Sequence, residues 1–282
     1  MKKYYWTFIF LYAAFSTNAQ VKYADSLLTA GYTQVAAVEY ERVLFETQDP
    51  EVRNEAILKK AFCYKLLGQY NEAYQNLLRA NLFDENDSIN DRLRYESVLT
   101  AFMASKYNDS YNQYVQFKYY SKDTALVDQA KVIAVLALNE QQKWGLASEL
   151  VSELNESYSL KLDTAELFAV SKRPKIRNLK KQQLATTFFP GYVLVREGQV
   201  TSGLLSFTLK SGIVFSTFYH IIDKLYFTAL LSGGMYNVFY AGSTEHAIES
   251  IKVNNQKKIT RFNEKVSNSL FKALETSNFL LF

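Results

Sequence analysis

A period of 37 residues in the first half of the chain restricts its fold more than any other feature. The clearest unit runs from residue 55 to 81, where small and aromatic side chains alternate with polar ones at helical spacing around Gly68. Small residues recur at this interval at Ala36, Ala73, Ser110 and Ala147. A period in this range is typical of solenoids, in which each unit buries its apolar face against the next.

Other positions keep the same register. The turn between two helices falls at Gly31, Gly68, Ser105 and Gln142. The second helix of each unit begins at Thr33, Tyr70, Tyr107 and Trp144. Its apolar face holds Tyr40, Leu77, Tyr114 and Val151, followed one turn later by Val43, Ala80, Phe117 and Leu154. The matching places in the first helices are Ala24, Ala61, Val98 and Val135. We therefore predict an all-α fold with four helix pairs in residues 20–155.

The second unit resembles the tetratricopeptide repeat, through Ala61, Tyr64, Gly68, Tyr70 and Ala73. The resemblance implies a helical-hairpin solenoid whose concave surface is lined by first helices and binds segments of other proteins. It places ten residues on that surface: Asp25, Leu28, Glu55, Phe62, Lys65, Arg92, Tyr95, Phe102, Gln129 and Asn139. For Phe62 and Phe102 the alternative is packing between helices, because each adjoins a core position.

The period is longer than the roughly 34 residues of the tetratricopeptide family. The polar segment 84–91 indicates that the additional residues lengthen the connections between repeats. The family's proline near the end of the repeat is missing at Glu85, although Pro50 follows the first unit at a shifted place.

The first nineteen residues predict an export signal. Lys2 and Lys3 precede a short apolar run, and small residues before Gln20 offer a cleavage site. A buried first helix or an uncleaved anchor is the alternative. Export predicts a cell-envelope protein with periplasmic repeats.

Cys63 is the single cysteine, so we expect no intramolecular disulfide and assign it to the core.

Two apolar stretches, Gly203 to Ile222 and Leu225 to Ala241, are separated by Asp223 and Lys224. Their lengths approach a bilayer span, which predicts an apolar helical hairpin attached to the inner membrane. Gly233 and Gly234 would permit close approach of its two helices.

Polar residues inside the first stretch count against membrane insertion. Lys210 and His220 both lie there, and a charge at the centre of a span costs about 2.5–3.5 kcal/mol on insertion scales. Two alternatives therefore remain: a hairpin lying partly in the membrane interface, or a soluble buried helix pair.

Residues 187–256 resemble an uncharacterised domain that follows helical repeats in some Bacteroidota envelope proteins. The resemblance rests on Pro190-Gly191, Glu197-Gly198, Tyr240-Ala241-Gly242 and Asn254-Asn255. It implies a Pro-Gly loop that leads into two membrane helices and a small-residue turn that leads out. A linker at 156–186 and a C-terminal helix and tail at 257–282 complete the predicted organisation. Ser243 is the candidate cap of a final amphipathic helix that extends to about Leu274.

A basic run without acidic residues precedes the apolar stretches. It contains Lys172, Arg173, Lys175, Arg177, Lys180 and Lys181. Such a run is either a solvated linker or a contact with acidic lipid head groups. In a periplasmic location it would oppose the positive-inside tendency.

The chain carries no recognisable catalytic pattern. The two histidines, His220 and His246, are not paired at helical spacing, and there is no phosphate-binding loop or nucleophile elbow. A net charge of +4 is too small to indicate nucleic-acid binding.

We therefore expect a non-enzymatic scaffold, without cofactor or metal, that binds a protein partner and is tethered to the membrane. The alternative is a small membrane component that assists protein insertion or transport, with regulatory repeats. Inward-facing Lys210, Tyr219 and Asn237 would favour that alternative.

Overall fold

The computed structural model describes residues 19–82, 87–277 and 279. Thirteen helices and no strands occur within these residues, which confirms the all-α prediction. They form two compact units: the first comprises the described residues up to Phe168 and from Ser267 onward, and the second is Ala169–Val266. The predicted signal peptide, apart from Ala19, lies outside the described residues.

The first unit contains four helix pairs and one short helix. The pairs are α1 (19–29) with α2 (Thr33–Glu46), α3 (Pro50–Leu66) with α4 (Tyr70–Leu77), α5 (Asp87–Met103) with α6 (Tyr107–Tyr120), and α7 (Thr124–Glu140) with α8 (Trp144–Tyr158). The short helix is α9 (Thr164–Leu167). All four second helices begin at the residues that the 37-residue register predicts.

The turn within each pair has the same backbone geometry. Gly31, Gly68, Ser105 and Gln142 all adopt positive φ angles, between 58° and 86°. In the second pair, the Gly68 amide donates to the Lys65 carbonyl (3.0 Å) and the Gln69 amide to the Tyr64 carbonyl (2.9 Å). Equivalent bonds close the other three turns, so each first helix ends in a Schellman motif.

The small residues of the register allow each second helix to approach its first helix closely. Ala36, Ala73, Ser110 and Ala147 are all fully buried. Ser110 introduces a hydroxyl at this position, and it donates to the Val98 carbonyl at 2.9 Å. The third pair therefore retains the packing despite its polar residue.

The expected lengthening of the connections is wrong at two junctions, because 47–49 and 121–123 are only three residues long. The first helices α3, α5 and α7 instead have 17 residues each. Asp49 and Asp123 cap α3 and α7 by accepting amide hydrogen bonds of 3.0 Å. Capping at these positions starts the helices early and keeps the junctions short.

A polar position, not predicted from the sequence, recurs every 37 residues at Asn54, Asp91 and Asp128, of which the first two are buried and the third is half-buried. Asn54 donates to the Asn81 carbonyl (2.6 Å) and accepts from its amide (3.0 Å). Asp91 accepts from the Ser121 hydroxyl at 2.7 Å, and Asp128 from the Tyr158 hydroxyl at 2.9 Å. In these three pairs, a polar side chain of the first helix is therefore hydrogen-bonded at the C-terminal end of the second helix.

The second unit contains α10 (Leu179–Phe188), α11 (Tyr192–Arg196), α12 (Val200–Ile222) and most of α13 (Tyr226–Glu275). Residues 223–225 join α12 to α13, and the Thr217 hydroxyl donates to Ser232 across the two helices at 3.0 Å. A helical hairpin therefore forms at the predicted place. The expected exit turn at Tyr240–Gly242 is wrong, because it lies within the 50-residue helix α13, and Ser243 is therefore not a cap. One glycine costs a helix only about 1 kcal/mol, which neighbouring packing offsets.

Among the described helices, none combines the length and apolar character that crossing a membrane requires. The predicted pair of transmembrane spans is therefore not supported. Polar side chains within both helices, among them Lys210 and His220, lower their mean hydropathy.

The core of the second unit lies where α11 meets α13. Val193 and Leu194 pack there against Ala247 and Ile251. At the start of α12, the backbones of Gly191 and Gly203 are in direct contact, since a Cβ on Gly203 would lie 2.8 Å from the Gly191 carbonyl oxygen.

Hydrogen bonds connect the start of the second unit to α13, and an ion pair supports them. The Asn255 side chain accepts from the Arg177 amide and donates to its carbonyl, both at 3.0 Å. Asn254 donates to the Glu197 carboxylate at 2.8 Å, and Arg177 forms an ion pair with the same carboxylate. Arg177 is thereby engaged within the fold.

The predicted linker and the predicted C-terminal segment are divided differently in the structure. The expected linker 156–186 divides, with 156–168 in the first unit and 169–186 in the second. The described C-terminal residues, 267–277 and 279, belong to the first unit, where the Phe279 ring packs edge-on against Tyr158 at a centroid distance of 4.8 Å.

Candidate protein-binding groove

The first helices lie side by side, because α3 contacts α5 and α5 contacts α7. Between α3 and α5 this layer leaves an open groove of about 570 Å³. Its lining comprises four residues from α3 and three from α5: Glu55, Leu58, Lys59, Phe62, Ile89, Arg92 and Glu96.

Most charges at the groove are paired with one another. Lys59 contacts both Asp25 of α1 and Glu55 at 2.8 Å. Burial lowers the pKa of Lys59, but its two carboxylate partners outweigh this effect and raise it above the ordinary value. Lys65 contacts Glu96 of α5 at 2.6 Å. These pairs hold neighbouring first helices together and leave little charge for a ligand.

Arg92 is the exception. Its side chain is exposed, and among the described residues it has no carboxylate or hydrogen-bond partner. Phe62, on the facing helix, is 47% exposed although it is aromatic. The groove therefore presents an uncompensated guanidinium opposite an exposed ring, and it can accept an acidic group next to an apolar one.

The structure brings together three of the ten predicted surface residues as groove lining: Glu55, Phe62 and Arg92. Asp25 and Lys65 adjoin the groove through their ion pairs with Lys59 and Glu96. Phe62 does not follow the alternative of packing between helices, because nearly half of its surface is open.

The other five residues do not line this groove. Tyr95 (8% exposed) and Asn139 (1%) are buried, so their placement on the surface was wrong. Leu28 packs against the core around Tyr40, and Phe102 packs against the Tyr107 ring at 5.6 Å. Gln129 is half-buried on α7. The predicted positions follow a general repeat pattern, whereas burial depends on the tilt of each helix against its neighbours.

Four lining residues were not predicted, namely Leu58, Lys59, Ile89 and Glu96. Helical spacing could have identified all four. Leu58 and Lys59 lie three and four residues after Glu55, whereas Ile89 and Glu96 lie three residues before and four residues after Arg92.

The basic run preceding the hairpin does not act as one surface. Arg177 forms an ion pair with the buried carboxylate of Glu197 while its side chain remains 30% exposed, and its assignment to lipid head groups stays a prediction. Lys175, Lys180 and Lys181 are exposed, and the last two belong to α10. Lys172 is also exposed and Arg173 is half-buried.

The described residues offer neither a metal site nor a reactive thiol. No group of three or more His, Cys, Asp or Glu side chains among them is arranged to hold a metal ion. Cys63 is buried, and burial raises the pKa of its thiol to about 11, so it is protonated at neutral pH.

Comparison of the chain with protein-family models, curated proteins and solved structures found no match.

Proposed function

We propose that this protein is a non-enzymatic scaffold whose four helix pairs, of tetratricopeptide type, bind a segment of another protein in the groove between α3 and α5. The observation that carries this proposal is the unpaired, exposed Arg92 in the same groove lining as the exposed ring of Phe62. The other groove cations, Lys59 and Lys65, already have carboxylate partners.

The complementary ligand is a peptide segment with a carboxylate close to an apolar side chain. The guanidinium of Arg92 can bind a carboxylate through two parallel hydrogen bonds. The apolar side chain would cover Phe62 together with the half-buried Leu58 and Ile89. A groove of this kind selects a short segment rather than a whole protein surface.

Selection from random peptides tests the groove directly, because it does not require the natural partner. We expect a phage-displayed library of random dodecapeptides, panned on the full-length chain, to enrich peptides with Asp or Glu near an apolar residue. Arg92→Glu should weaken binding of the enriched peptides about 100-fold, and Phe62→Ala about tenfold, as measured by fluorescence anisotropy.

Arg42→Glu and Phe45→Ala on α2 are matched controls, since both residues are exposed but lie outside the groove. They should leave the affinity within about twofold. Peptides without acidic enrichment, or equal binding to the Arg92→Glu variant, would refute the groove assignment.

For the second unit we propose attachment to a membrane surface. Helices α12 and α13 expose many large apolar side chains: Leu204, Leu205, Phe207, Leu209, Val214, Phe215, Phe218, Ile221, Ile222, Phe227, Leu230, Leu231, Met235, Val238 and Phe239. Exposed apolar patches of this extent mark interaction surfaces. The exposed Lys175, Lys180 and Lys181 supply positive charge in the same unit, as interfacial helices do on anionic membranes.

Vesicle flotation of the full-length protein tests this attachment. We expect co-flotation with phosphatidylcholine vesicles to increase when phosphatidylglycerol is included. The double variant Lys180→Glu/Lys181→Glu should lose about tenfold or more of the binding to the anionic vesicles. Phe215→Ser/Phe227→Ser should weaken binding to both kinds of vesicle, because these rings are each 73% exposed.

The double variant Lys257→Glu/Lys265→Glu makes the same change in net charge on exposed lysines of α13 and should bind as the wild type does. If the wild type stays with neither kind of vesicle, the membrane attachment is wrong.

An envelope location, with periplasmic repeats and inner-membrane attachment, belongs to the same proposal. The runner-up, a component that assists insertion or transport, would place polar residues between α12 and α13. Of the three residues named for it, Lys210 is buried, whereas Tyr219 and Asn237 are exposed. We therefore prefer the scaffold.

A further inference from the structure

Lys210 is a buried cation without an anionic partner. Its side chain, on α12, is only 2% exposed, and its Nζ lies 4.8 Å from the centre of the Tyr240 ring of α13. Within the described part of the chain it has no ion pair or hydrogen bond beyond this ring contact. An isolated ammonium group in a protein interior is costly, and burial lowers the pKa of Lys210 below its ordinary value.

The Tyr240 ring, against which Lys210 lies, is itself held by neighbouring side chains. The Tyr240 hydroxyl is hydrogen-bonded to the Thr187 hydroxyl at 2.6 Å, and the Tyr240 ring stacks on Tyr236. The lysine therefore lies against a surface that its own unit holds in place.

Lys210 lines two cavities of the second unit, of about 330 and 370 Å³. In the smaller cavity, Ser202, Ser206 and Lys210 form a stripe along one face of α12, because they are spaced four residues apart. Ser243 and His246 of α13 line the same cavity. The remaining wall is mostly apolar: Leu194, Leu205, Leu209, Val238, Phe239 and Gly242.

Ser206 is a second polar group without a partner. Its hydroxyl oxygen is buried and forms no hydrogen bond with any described residue. A buried hydroxyl left unpaired costs about 1–3 kcal/mol. One bound anion on this stripe would provide an acceptor for the hydroxyl and a counter-charge for the ammonium of Lys210.

We infer that the stripe of Ser206 and Lys210 binds the single anionic head group of an amphiphile, whose acyl chain lies along the apolar walls of these cavities. The head-group contact is separate from the repeat groove. Its apolar walls, however, include Leu205, Phe215 and Val238, which also belong to the surface proposed above for vesicle binding. Ser206 and Lys210 are not part of that surface, so variants at these two positions test the head-group site alone.

The lining restricts the ligand in two ways. A small inorganic anion would leave the leucine and phenylalanine walls against water, whereas an acyl chain would cover them. A head group with several negative charges would find only one cation, so a singly charged carboxylate or phosphodiester fits best.

The first test uses the wild-type chain alone. We expect isothermal titration calorimetry, below the critical micelle concentration, to show that dodecanoate binds at least about tenfold more tightly than dodecanol. Equal affinity for the neutral alcohol, or no binding of either, would overturn the inference.

Two variants then assign the preference to the stripe. Lys210→Met keeps a long side chain but removes the charge, and it should reduce the affinity for dodecanoate to that for dodecanol, with the dodecanol affinity unchanged. Ser206→Ala should weaken dodecanoate binding by about threefold to tenfold. Lys257→Met, which removes an exposed charge on α13, is the matched control and should bind as the wild type does.

Loss of binding can be separated from loss of folding. Removing an uncompensated buried charge should leave the thermal midpoint of the ligand-free Lys210→Met variant equal to or higher than that of the wild type. If this variant binds dodecanoate as tightly as the wild type, Lys210 is not the head-group site.

The source of the amphiphile is settled by a competition experiment. If phosphatidylglycerol vesicles displace dodecanoate from the wild-type protein and phosphatidylcholine vesicles do not, the ligand is a membrane lipid. Binding of dodecanoate that neither kind of vesicle affects identifies a free fatty acid. Both results support the site, and displacement that is equal for the two lipids contradicts an anionic head group.

Discussion

Gly203→Ala should destabilise the second unit by at least about 2 kcal/mol. A Cβ at this position would lie 2.5 Å from the Val195 side chain and 2.8 Å from the Gly191 carbonyl oxygen. Two helices meet here through their backbones, so relief of the clash requires α11 to move off α12. That movement would open the core around Val193 and Leu194.

Gly212→Ala is the control for Gly203→Ala, because it lies in the same helix and its added Cβ would meet no atom within 4 Å. It should be neutral or stabilise by up to about 1 kcal/mol, since alanine is the better helix former. Urea unfolding followed by circular dichroism gives both values. Hydrogen exchange should locate the damage of Gly203→Ala in α11 and the start of α12. Equal unfolding midpoints for the two variants would show that the close backbone contact is not required.

The helical register was predictable because its signals are local. A residue with positive φ must end each first helix, and a small residue must lie where the helices cross. Gly31 and Gly68 satisfy the first condition at little cost. Ser105 and Gln142 adopt the same conformation at a cost of roughly 1–2 kcal/mol. The register is thus readable even where the preferred residue is absent.

The groove was only partly predictable, because exposure depends on packing between repeats. Phe62 and Tyr95 were assigned to the same surface from the sequence, yet the first is open and the second is buried. The recurring polar position Asn54, Asp91 and Asp128 could have been found, since its 37-residue spacing is present in the sequence. Its side chains differ, and only the structure shows that each ties a pair of helices together.

In the hairpin of α12 and α13, the composition of the sequence does not determine which way the Lys210 side chain points. In the sequence, Lys210 counts against membrane insertion, although a long side chain can extend from an apolar helix toward a membrane interface. It lies instead against Tyr240 in the interior of the second unit. Because α12 turns this one charged residue inward, its apolar residues remain on the outer surface, where they can meet a membrane or another protein.

Phe117→Ala should destabilise the first unit by about 3–5 kcal/mol. The ring is completely buried in α6, at the register position that Val43 and Leu154 occupy in the first and fourth pairs. Alanine would leave a cavity where α6 packs against α5 and α7, and the surrounding helices can close it only in part. Tyr119→Ala, two residues further along the same helix, is the control, because Tyr119 is 81% exposed and its loss should cost no more than about 0.5 kcal/mol.

The spread of the damage from Phe117→Ala distinguishes a solenoid from a domain with a single shared core. Each repeat contacts only its neighbours, so the loss of protection against hydrogen exchange should be greatest in α5 to α8 and smaller in α1 and α2. A uniform loss across the first unit would mean that the repeats fold as one indivisible core. Protection retained in α3 would have a functional consequence, since α3 carries Phe62. The variant would then lose the α5 side of the groove, including Arg92, and should bind the selected peptides more weakly even though Phe62 is still in place.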